Sequence, residues 1–72
     1  MLLAQRLHAA GLAFIKVVDR RHPISVEQVV CETEVDAIKV KSWILREAVA
    51  NAVVRVATTA EREQYRKAKE VV

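Results

Sequence analysis

The sequence predicts a small, mainly α domain of three helices. Three observations lead there: apolar residues recur at spacings of three and four, N-cap residues precede two of those runs, and a single glycine and a single proline leave few breaks. With 72 residues there is room for one domain over residues 1–72 and one core.

In residues 2–18 the positions Leu3, Leu7, Ala10, Phe14, Val17 and Val18 follow helical spacing and define a first helix with one buried face. Gly11 lies inside it at a cost of about 1 kcal/mol relative to alanine. The segment 19–23 ends it, because the residue before Pro23 is pushed out of the helical region. Ser25, with Gln28 three residues on, reads as a capping box that opens a short second helix carrying Val26, Val29 and Val30 inward and ending near Glu32 or Thr33. After a break over residues 33–35, Asp36 is the N-cap of a third helix whose stripe is Ile38, Val40, Trp43, Ile44, Ala48, Val49 and Ala52. The rest stays open. The β-branched run Val53, Val54, Val56 suits a strand, as in a short C-terminal β-wing, or the third helix runs on through Ala57, and Thr58 with Glu61 also forms a capping box that would begin a fourth helix through Glu70.

Residues 26–57 resemble the helix-turn-helix of winged-helix DNA-binding domains. Val30 stands at the small apolar position of the first helix, Val35 just after the turn, and Val40 and Trp43 at the two anchors of the second. Asn51 stands where that family usually has glycine, and asparagine tolerates the left-handed conformation better than most residues. Glu34 departs from the family's turn glycine. The resemblance implies a three-helix helix-turn-helix fold and a DNA-binding module of a transcription regulator or of a replication assembly. It further implies that Asp36, Ala37, Lys39, Lys41, Ser42 and Arg46 face the groove. Of these, Lys39, Lys41, Ser42 and Arg46 would contact duplex DNA, with Arg20, Arg21 and Arg55 near phosphates. A plain three- or four-helix bundle is the alternative architecture.

The charge pattern is mixed. A net charge of +3 is too small to establish nucleic-acid binding. Between Ser25 and Asp36 the chain carries Glu27, Glu32, Glu34 and Asp36 with no positive residue, and such acids repel a phosphate backbone. That acidic patch supports a second reading, a protein-interaction domain that docks a partner or forms a homo-oligomer. A hydrophobic content of 53% points the same way, since one tiny core cannot hide that many apolar side chains.

Nothing in the sequence resembles an enzyme. The one glycine excludes a glycine-rich phosphate loop, and no nucleophile stands with a histidine and an acid as a unit. Cys31, His8 and His22 are too scattered for a metal site, so neither a metal nor another cofactor is expected, nor a small-molecule substrate. Cys31 reads as a small buried hydrophobe, Trp43 as core, Tyr65 as a packing residue and His22 as a solvated turn residue. A lone cysteine, no signal-peptide pattern and no apolar run of spanning length lead to the expectation of a soluble cytoplasmic protein without membrane contact.

Overall fold

The computed structural model describes residues 2–18 and 27–70. Their order is α1 (Leu3–Ala9), β1 (Lys16–Val18), β2 (Glu27–Cys31), α2 (Glu34–Arg46), β3 (Ala52–Val56) and α3 (Thr59–Glu70). The three strands form one mixed sheet in the order β1-β2-β3, with β1 antiparallel and β3 parallel to β2. The fold is therefore three helices on a mixed sheet, which corrects the expectation of a mainly α, three-helix helix-turn-helix domain.

The first helix ends at Ala9 because Gly11 adopts φ +75° and closes it. The Gly11 N–H donates to the carbonyl of His8, and that of Leu12 to the carbonyl of Leu7, which satisfies carbonyls the helix leaves free. Gly11 is thus a terminator and not an interior residue. Val17 and Val18, expected on the same helix, lie in β1, where β-branched side chains fit the pleat.

The largest departure is β2. The segment expected as the second helix is a strand pairing with both neighbours, and its Gln28, Val29, Val30 and Cys31 meet Val53, Val54, Arg55 and Val56 in register. Consecutive strand residues face opposite sides. Accordingly Val29 and Cys31 point to the core shared by α1 and α2, whereas Val30, also buried, lies on the other face with Lys16 and Arg55. Ser25 and Val26, the start expected for the second helix, lie outside the described residues.

The helix expected from Asp36 begins two residues earlier. Thr33 is its cap, accepting from the Asp36 N–H at 3.2 Å. Its buried side is Ala37, Val40, Trp43 and Ile44. Val40, Trp43 and Ile44 are where the sequence placed them, but Ala37, expected to face a DNA groove, is buried, and Ile38, expected inside, is exposed. The helix ends as α1 does, except that a non-glycine residue, Ala48 at φ 52°, closes it, with its N–H donating to Leu45 and that of Val49 to Ile44. Asn51 adopts φ 59°, the left-handed conformation its side chain was expected to tolerate. In the C-terminal third residues 52–56 are a strand, paired in parallel with β2 and not a wing, so the preceding helix does not run on through Ala57, and the Thr58 box opens α3. Thr58 Oγ1 accepts from the Glu61 N–H at 3.2 Å, and Glu61 Oε1 from the Thr58 N–H at 3.0 Å.

Candidate interaction surface

The exposed side of α2 holds most of the residues singled out from the sequence. Lys39, Lys41, Ser42 and Arg46 are all exposed. At 100° of turn per residue, Lys39 and Arg46 lie about 20° apart on one flank, while Lys41 lies about 160° from Lys39 on the other. Between the flanks runs an apolar ridge, with Val35 62%, Ile38 57% and Leu45 81% exposed. The three cations therefore do not share one face.

On its Lys41 flank the helix borders β3. Lys41, Ile44 and Leu45 line a shallow groove with Ala52, Val53 and Val54 of that strand. β3 is the last strand of the sheet, so among the described residues its outer edge has no strand beside it. The terminal bonds of the β2–β3 ladder run from the Glu27 N–H to the Asn51 carbonyl and from the Ala57 N–H to the Cys31 carbonyl, each 2.8 Å. Successive backbone groups of an extended strand point to opposite sides, so residues 51, 53, 55 and 57 bond to β2. The N–H and C=O groups of Ala52, Val54 and Val56 point outward, and among the described residues none of them pairs with another backbone or side-chain group.

Arg55 is not a free cation. Its Nη1 and Nη2 donate to Glu61 Oε1 and Oε2 at 2.7 and 3.0 Å, a bidentate pair tying β3 to α3. Those hydrogen bonds, first from Arg55 and then from the Thr58 N–H, lower the Glu61 carboxyl from 4.5 to about 2. The Glu61 bond likewise raises the Arg55 guanidinium. Arg20 and Arg21 lie outside the described residues.

The acids do not form one patch. Glu32, Glu34 and Asp36 gather where β2 passes into α2, but Glu27 stands at the far end of β2, about 16 Å from Glu32 at 3.3 Å per residue. Asp36 serves partly as a local charge at the helix start, where anions are favoured. Burial, with the nearby Asp36 charge, pushes the Cys31 thiol up, away from the reactive thiolate. No cluster of three metal-ligating side chains occurs among the described residues, and none of their helices is long and apolar enough to cross a membrane.

The sequence reading missed the ridge. Val35 was taken as the apolar residue after a turn and Ile38 as core, and the available signal was the excess of apolar positions around α2, more than one buried stripe can use. Compared with models of known protein families, with characterised proteins and with solved structures, the chain matches none of them.

Proposed function

We propose that this chain is a non-catalytic protein-interaction module whose binding surface is the solvent side of α2 together with the outer margin of β3. The observation that carries this reading is the exposed ridge of Val35, Ile38 and Leu45, which holds large apolar side chains in water on a helix whose opposite side already fills the core. Large apolar side chains gathered on one exposed side of a helix mark a contact surface. Binding of duplex DNA through α2 would need Lys39, Lys41 and Arg46 on one side, and the ridge separates Lys41 from the other two.

A photo-crosslinking residue placed at Ile38 or at Leu45 should give protein adducts in cells, while the same residue at Lys67 on α3 should give none. Adducts no more frequent at the ridge than at Lys67 would overturn the proposal. So would binding of duplex DNA at low salt that Lys39→Ala with Lys41→Ala weakens, lowering the slope of log affinity against log salt by up to about 2.

A further inference from the structure

We infer that the occupant of the β3 margin is a second copy of this chain, joined edge to edge so that two three-stranded sheets become one. The inference rests on the interaction-module reading and names its partner.

The first support is the open edge itself: among the described residues no strand lies outside β3, and the N–H and C=O groups of Ala52, Val54 and Val56 face outward without a partner.

The second support is the chemistry of the edge, which is complementary to itself. Two β3 strands related by a two-fold axis at Val54 run antiparallel, with Val54 beside its own copy and Ala52 beside Val56 of the other chain. These are the residues whose N–H and C=O groups point outward, so each outward donor meets an outward acceptor. The register works because all of them have the same parity, and a slip by one residue would lose every bond. Charge agrees with this pairing. The single charged residue of the strand, Arg55, lies opposite Val53 and not opposite itself, and it is already neutralised by Glu61 in its own chain. Within β3 itself no like charges are brought together across the edge.

The third support is the position of α2. It joins β2 to β3 and packs against both on the core face, more extensively against β3, so the two copies of α2 would face each other across the axis on one side of the joined sheet. The groove of Lys41, Ile44, Leu45, Ala52, Val53 and Val54 would close between them, burying Leu45 at the junction. A two-fold contact of this kind is closed and uses the β3 edge of both copies.

Sedimentation equilibrium of the purified chain over a dilution series, with amide hydrogen exchange at its two extremes, tests the inference. The mass should fall from dimer to monomer through the micromolar range, and the amides of Ala52, Val54 and Val56 should be protected only in the dimer. Leu45→Glu, at a side chain outside the core, should weaken dimerisation at least about tenfold. Val54→Pro, which removes an outward N–H, should weaken it about 10- to 100-fold. Helical circular dichroism of each variant checks folding, and if Val54→Pro unfolds, Leu45→Glu decides alone. A monomer at all concentrations would overturn the inference, as would a dimer indifferent to Leu45→Glu or one without protection at those three amides. Ridge adducts to a different protein from a chain that stays monomeric would sink the self-pairing while leaving the interaction module standing.

Discussion

On one face of the sheet, α1 and α2 bury Leu3, Leu7, Val40, Trp43 and Ile44 against Val29 and Cys31, whereas on the other face α3 buries no residue of its own and is fastened to β3 by the Arg55–Glu61 pair. The first attachment is apolar area removed from water, at about 25 cal/mol per Å² and indifferent to pH. The second is a hydrogen-bonded charge pair near the surface, with both side chains about a third exposed, 37% and 32%. Water screens such a pair, so it positions α3 more than it stabilises the molecule. The core face also carries polar tethers at its rim: the Arg6 guanidinium sits over the Trp43 ring at 5.2 Å and approaches Glu47 at 3.7 Å. They supplement the packing and do not replace it.

The comparison breaks most readily at Ile44. Ile44→Ala removes a buried side chain beneath α2 and should cost roughly 2 to 5 kcal/mol. That is comparable with the whole stability of a chain this size, roughly 4 to 11 kcal/mol at the usual value per residue. Denaturant melts of wild type and variant measure it, and a loss below about 0.5 kcal/mol would put Ile44 on the surface.

Smaller effects lie at the ends of the two core-face helices. Both use a left-handed residue to stop, but α1 uses Gly11 and α2 uses Ala48. Gly11→Ala should destabilise by about 1 kcal/mol, because alanine disfavours that conformation even where space is open, and Ala48→Gly should stabilise by a similar amount. Thermal melts showing the same sign for both substitutions would contradict these helix ends.

The α3 face should respond to pH instead. Glu61 has a folded pKa below its ordinary value, so its contribution is fully present above about 4.5 and is lost as the pH falls from there toward about 2. Hydrogen exchange should therefore show α3 loosening over that window before the core opens, and Glu61→Gln should loosen it at neutral pH and remove the acid dependence. Simultaneous opening of α3 and the core would mean that the two faces are one cooperative unit. The smallest effect expected is that of Lys39→Ala, an exposed position off the ridge, which should change stability by no more than about 0.5 kcal/mol.

Local chemistry was legible where it depends on neighbours along the chain. The Thr58–Glu61 box and the buried stripe Val40, Trp43, Ile44 each follow from spacings of a few residues, and the left-handed Asn51 agrees with what the winged-helix resemblance implied at that position. The β2 strand was not legible in the same way. Val26, Val29 and Val30, with Ser25 and Gln28 beside them, satisfy a helical pattern and a strand pattern equally, because so short an apolar run carries no decisive period. What decided for the strand was pairing with Lys16–Val18 on one side and Ala52–Val56 on the other, partners remote in sequence. The candidate surface divides likewise. Sequence alone determined which side chains are apolar, which charged, and that they exceed the needs of one core. Only the tertiary structure decided which were left over, since placing α2 over β2 and β3 chose Ala37, Val40, Trp43 and Ile44 for burial and turned Val35, Ile38 and Leu45 to water. A helix has one inward side, and its direction is set by what it packs against.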